Sequence, residues 1–194
     1  MSEDGVREDI AFIRRTIEDG RAYATTRGPD MVVWGVVVAV GYLATYAYVR
    51  GWLALAPGWI WTACIGLPWA YSISRFFKVA ANPAPIRPMI QAMRMLWLGC
   101  GIFLTTFALA TAWTGDNRQG WSEVFNAAIL GVGFFGSASL CNLPWLRWVA
   151  GGWWLGFIAT YLLRTRIEVL PLSAALMLLL LALPGAVLLG TRDR

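Results

Sequence analysis

MVVWGVVVAVGYLATYAYV, from Met31 to Val49, decides how this chain folds. It is bounded by Asp30 and Arg50 and holds no charged side chain. At about 1.5 Å of rise per residue, a helix of this length spans about 30 Å, the thickness of a bilayer's hydrocarbon core. Inside that core no water is available to the backbone, so the stretch must pair its own N–H and C=O groups as a helix. Five further apolar windows follow, at 57–74, 95–113, 123–141, 145–163 and 169–190. The whole chain of 194 residues is 58% hydrophobic and only 14% charged, with twelve Trp and a mean hydropathy of +0.58. A soluble domain of this size carries far more charge. The expectation is an all-α, polytopic six-helix transmembrane bundle over 31–190, with a polar leader over 1–30 and a short tail at 191–194.

The acidic residues sharpen this. No Asp or Glu occurs between Asp30 and Asp116, nor between Glu123 and Glu168, and seven of the eleven acids lie at or before Asp30. Spans without acids argue against proton-coupled chemistry. With the N-terminus placed in the cytoplasm, the inner segments hold Arg7, Arg14, Arg15, Arg21, Arg27, Arg75, Lys78, Arg87, Arg94, Arg147, Arg192 and Arg194. The outer ones hold Arg50, Arg118, Arg164 and Arg166, twelve cations against four. The positive-inside rule then places both termini in the cytoplasm, at an inner membrane, with Arg164 and Arg166 as a local violation. No removable signal peptide is expected before the first window. His is absent, and Cys64, Cys100 and Cys141 sit apart in separate apolar windows. The absence of His excludes His-ligated metal or haem, and the Cys spacing fits no metal knuckle or redox pair. No cofactor, metal site or catalytic set is expected, and no nucleic acid is expected to bind directly.

The leader carries Val6, Ile10, Ile13 and Ile17 at alternating spacings of four and three, one apolar stripe on a helix. Acids crowd its start, where the helix dipole favours them, and Arg14–Glu18 and Arg15–Asp19 are i,i+4 pairs on the wet face. Gly20 and Gly28-Pro29 are expected to end it. So narrow a stripe needs a docking surface, so these four residues are the candidate partner-binding set.

Within the spans, Gly133 with Ser137, and Gly152 with Gly156, are small-xxx-small pairs that let helices approach closely. They serve either a homo-oligomer seam or packing within one subunit, and six spans favour the latter. Gly41–Tyr46 (GYLATY) resembles Gly156–Tyr161 (GFIATY), with a weaker echo at Gly101–Thr106 (GIFLTT). This suggests three repeated helix hairpins, although apolar composition makes such matches easy. Trp34, Trp52, Trp59, Trp61, Trp113, Trp121, Trp145 and Trp148 fall near span ends as an interfacial belt, while Trp97, Trp153 and Trp154 lie deeper. Glu123 is expected in the outer headgroup region, capping the fourth span, with Asn126 and Asn142 bonding across helices. Arg75, Lys78, Arg87, Arg94 and Arg147 form an inner basic set that contacts anionic lipid or another anion. Pro68 and Pro184 are candidate kinks.

The run Glu8-Asp9-Ile10-Ala11-Phe12-Ile13-Arg14, then Gly20-Arg21-Ala22, Gly28-Pro29 and Trp34-Gly35, covers about the first quarter of the chain. It resembles the opening of small uncharacterised bacterial polytopic membrane proteins in which an acidic leader helix precedes a Trp-Gly-bearing first span. Such proteins are of the kind encoded beside winged-helix regulators, and the resemblance implies a sensory or regulatory role. The function expected is therefore that of a non-enzymatic inner-membrane protein that engages a cytoplasmic or membrane protein partner through its leader. A small transporter or channel, and an accessory subunit of a larger complex, are the alternatives.

Overall fold

The computed structural model describes residues 3–80, 88–115 and 120–190, with the backbone alone described for 3–25, 76, 78–80 and 88. Six helical runs follow one another: α1 (Glu3–Val49), α2 (Pro57–Ala80), α3 (Pro88–Thr114), α4 (Trp121–Leu140), α5 (Trp145–Leu163) and α6 (Val169–Gly190). No strand occurs among the described residues. Each helix packs against the next in sequence, and α6 closes the ring by packing along α1.

Four of these helices are long and apolar enough to cross a membrane: Thr26–Val49 within α1, Met89–Thr114 within α3, α4 and α6. The burial pattern agrees with a lipid solvent. The apolar window of α3 has none of its residues buried, and Met95, Leu98, Ile102 and Phe103 all face outward. An apolar face this large is costly in water and ordinary in lipid. The core is drawn instead from α1, α4, α5 and α6: Val38, Ala39 and Tyr42 meet Leu130, Phe134, Trp153, Ala174 and Met177.

The leader is not a separate helix. Neither Gly20 nor Gly28-Pro29 interrupts α1, which runs unbroken for 47 residues, about 70 Å. Pro29 removes one backbone donor, and glycine within a helix costs about 1 kcal/mol relative to alanine. At Gly28 close packing offsets that cost. A Cβ there would lie 2.8 Å from the Gly185 carbonyl oxygen, and one on Gly185 would lie 2.7 Å from the Met31 Cβ. Gly35, two turns on, faces Ala182, whose backbone nitrogen would be 2.7 Å from such a Cβ. The glycine that sequence alone offers as a stop is thus the contact point between the first helix and the last.

The link between α4 and α5 is as short as expected. Asn142 adopts φ 49°, and the Leu143 N–H donates to the Ala138 carbonyl at 3.1 Å, which closes α4 as a Schellman motif. The two helices then run back side by side, with Phe135 and Trp154 in ring contact at 5.5 Å.

Indole N–H groups join the helices elsewhere. Trp34 donates to Ser72 at 3.2 Å, joining α1 to α2. Trp69 donates to Thr105 at 2.9 Å, joining α2 to α3. Trp97 donates to Ser137 at 3.0 Å, joining α3 to α4. The fourth bond answers a proline. Pro184 has no N–H to offer the Leu180 carbonyl four residues earlier. A π-turn at Leu178–Ala182 sits beside it, and the Trp153 indole of α5 donates to that carbonyl at 3.1 Å.

Trp153→Phe strands the Leu180 carbonyl and should lower stability by about 1–3 kcal/mol. In a Pro184→Ala background a backbone N–H can serve that carbonyl, so the same change should cost less, with a coupling of about 0.5–2 kcal/mol. Unfolding of the four proteins of this cycle in detergent measures it; strict additivity would refute the pairing.

Candidate functional site: two buried polar clusters

α1 and α2 run antiparallel, so residues spaced four apart on one meet residues spaced three apart on the other. Asp30 and Trp34 of α1 thereby face Ser72 and Arg75 of α2. Ser72 donates to Asp30 Oδ1 at 3.2 Å while accepting from Trp34. Arg75 Nη1 donates to Asp30 Oδ2 at 3.2 Å, and Arg27, three residues before Asp30, reaches the same oxygen at 3.4 Å. Arg75 Nη2 also donates to the Thr26 carbonyl at 2.9 Å. Asp30 is only 8% exposed, and Trp34 and Trp69 meet edge to face at 5.9 Å on its core side. The carboxylate thus has hydrogen-bond partners on both oxygens, the condition under which a buried charge is tolerated.

Three turns along α1, about 18 Å away, lies a second cluster. Asn126 of α4 donates through Nδ2 to the Tyr42 hydroxyl at 2.9 Å. Trp61 of α2 packs edge-on against the Tyr42 ring at 4.9 Å. Glu123, one turn before Asn126, is within electrostatic reach of Tyr42 and is 3% exposed. It occupies the first turn of α4, where the positive end of the helix dipole favours a carboxylate. Between the clusters the interior is apolar, with Val38, Leu130 and Phe134 all buried.

Several expectations change here. Glu123 is enclosed by protein rather than exposed, because the first turn of α4 packs against α3 and α5, with Ser122 bonded to Thr111 and Trp121 against Tyr161. Asn126 bonds across helices, from α4 to α1. Arg75 is drawn out of the inner basic set into an ion pair with Asp30. Arg94 is half-buried and Arg147 exposed, while Arg87 and the Lys78 side chain lie outside the described residues. The side chains of Val6, Ile10, Ile13 and Ile17 also lie outside them, although their backbone belongs to α1. A Cβ on Gly133 would lie 3.3 Å from the Trp97 ring, and Gly152 and Gly156 face Leu180 and Leu176 of α6. Ser137 accepts from Trp97 and donates to the Gly133 carbonyl at 2.7 Å. All four small residues therefore have partners within the one chain.

Sequence reading missed Asp30, Tyr42 and Ser72. A signal for the first was present: one carboxylate adjoining the first span, and one Arg at the same predicted end of the second. Chemically, the clusters hold charge and orient hydroxyls, and among the described residues no group of three or more His, Cys, Asp or Glu could hold a metal ion. No family model, curated protein or solved structure matches the chain.

Asp30→Asn and Arg75→Gln, made singly, each leave polar groups buried without their partner, and each should cost about 1–3 kcal/mol. The double variant should be less destabilised than the sum of the two. Thermal unfolding in detergent measures this, and full additivity would show that the pair carries no interaction energy.

Proposed function

We propose that this is a non-enzymatic, six-span membrane protein of a bacterial inner membrane that acts on a protein partner through its cytoplasmic leader helix. The observation that carries the proposal is the continuity of α1 from Glu3 to Val49. A partner held on Val6, Ile10, Ile13 and Ile17 grips the same rigid helix that crosses the membrane. At the junction, Asp30 ties that helix to Arg75 of α2 and Gly28 abuts Gly185 of α6. Engagement of the leader is therefore felt by the bundle, as a sensory or regulatory component requires.

What supports six spans is the character of α2 and α5, the two helices beyond the four most apolar. They are 24 and 19 residues long, about 36 and 28 Å, and much of their apolar surface is indole, which suits both lipid and the interface. The outer face of α5 carries Trp148, Leu155 and Leu162 at seven-residue spacing, 84%, 70% and 70% exposed, a lipid-facing stripe. The excess of cations at one end favours cytoplasmic termini. As to a repeat, Gly41 and Gly156 each face the following helix, through Cys64 and Leu176, whereas Gly101 faces Trp69 of the preceding one. Equivalence of the first and third hairpins is thus better supported than a threefold repeat.

Replacing Ile13 and Ile17 together by Asp should abolish co-purification of the partner while leaving helix content and membrane insertion intact. Unchanged co-purification would refute the leader's role. Transport is the second reading, favoured by the burial of Glu123 against Tyr42 and Asn126, since an ionisable group inside a bundle marks a path by default. Reconstituted vesicles should then show a solute or ion flux that Glu123→Gln removes; absence of flux in the wild type counts against it.

A further inference from the structure

At the end of the bundle remote from Asp30, the start of α4 and the end of α5 lie side by side. Gly120 permits this. Its φ is 61°, in the left-handed region that glycine adopts without strain, and a Cβ there would collide with the Arg164 carbonyl. The close approach brings the Trp121 and Tyr161 rings together at 6.2 Å. The Arg164 guanidinium lies over both, 4.3 Å from the Tyr161 centroid and 5.7 Å from that of Trp121. Arg164 Nη1 donates to the Tyr161 carbonyl at 2.9 Å, and Nε is buried with no partner. Among the described residues no carboxylate pairs with it, in contrast to Arg27 and Arg75. Arg166 and Glu168 are both exposed nearby.

Next to this cation an apolar groove opens between α3 and α4. It has a volume of about 360 Å³ and is lined by Phe107, Thr111, Trp121 and Phe125. Phe103 stacks with Phe107 at 6.0 Å, and Phe125 meets Phe107 edge-on at 5.1 Å, so the groove continues away from Trp121 as an aromatic trough. The Thr111 and Ser122 hydroxyls bond to each other at 2.8 Å, which leaves the lining without a free polar demand from that pair. A cation at the rim and an aromatic trough below it match a ligand with an anionic head and an apolar tail. Arg164 is also one of the cations that run against the positive-inside rule, so orientation does not account for it.

We propose that this rim and groove hold one anionic phospholipid, with its phosphodiester on Arg164 and an acyl chain along Phe107 and Phe125. The phosphate answers the guanidinium donors that no protein group takes, and a planar guanidinium fixed by two rings is pre-set for phosphate oxygens. The proposal rests on the membrane-spanning reading and not on the leader's partner.

The full chain is reconstituted in phosphatidylcholine vesicles containing phosphatidylglycerol of the same acyl chains, then released and weighed by native mass spectrometry. The wild type should retain phosphatidylglycerol in preference to phosphatidylcholine. Arg164→Gln should lower that preference roughly tenfold. Arg164→Lys, which keeps the charge, should retain part of it, and Arg166→Gln should leave it unchanged. Phe125→Ser should weaken retention of both lipids. Equal retention in wild type and Arg164→Gln overturns the proposal, as does displacement of the lipid by excess inorganic phosphate, which would mark a free-anion site. Failure of the wild type to float with vesicles would instead refute the spanning reading itself.

Discussion

Helices in lipid gain little by hiding apolar faces from an apolar solvent, so this bundle depends on close backbone approach and on polar handles between helices. Both devices recur around the ring. Glycines bring α1 onto α6 at Gly28, Gly35 and Gly185, and α5 onto α6 at Gly152 and Gly156. Indole N–H groups bond α1 to α2, α2 to α3, α3 to α4 and α5 to α6. The α4–α5 pair needs no such bond, because the tight Asn142 turn fixes it as a hairpin and Gly131 admits the Trp154 ring against its backbone. Tryptophan therefore serves two ends here. Trp52, Trp59, Trp113 and Trp148 are exposed, as an interfacial belt requires. Trp34, Trp69, Trp97 and Trp153 tie helix to helix.

Helix positions were legible in the sequence because a run of apolar residues is a local property. The windows 145–163 and 169–190 coincide with α5 and α6. α3 begins earlier than its window because Pro88 suits a first helical turn and Gln91 and Arg94 continue the helix past the apolar limit. The leader's end was not legible. Gly28-Pro29 carries a stop signal, and only the position of Gly185, more than 150 residues later, turns it into a packing contact. The polar clusters were hidden for the same reason. Asp30 reads as the last acid of a wet leader and Glu123 as an interfacial cap, and only the antiparallel fit of α1 with α2 and the packing of α4 between α3 and α5 show them enclosed. Acid-free spans thus still leave carboxylates at the span ends, where a helix is enclosed by its neighbours.

That correction changes what the first helix can do. A helix hinged at Gly28-Pro29 would bend under a load on its N-terminal part, whereas an unbroken helix passes such a load along its axis. Sliding α1 along its axis moves Asp30 away from Ser72 and Arg75, and moves Gly28 away from Gly185. Both contacts are short and neither tolerates a displaced neighbour, since a half-satisfied buried carboxylate and a side chain over Gly185 are each unfavourable.

Displacement of the leader is therefore resisted at two points and passes to α2 and α6 together. In α6 it arrives beside the π-turn at Leu178–Ala182, because Ala182 faces Gly35. A π-turn has already given up the regular i→i−4 pattern, so it is the part of that helix that reorganises at least cost. Trp153 holds the Leu180 carbonyl within the same turn. The bundle's least regular segment thus lies in contact with α1, the helix that also forms its leader.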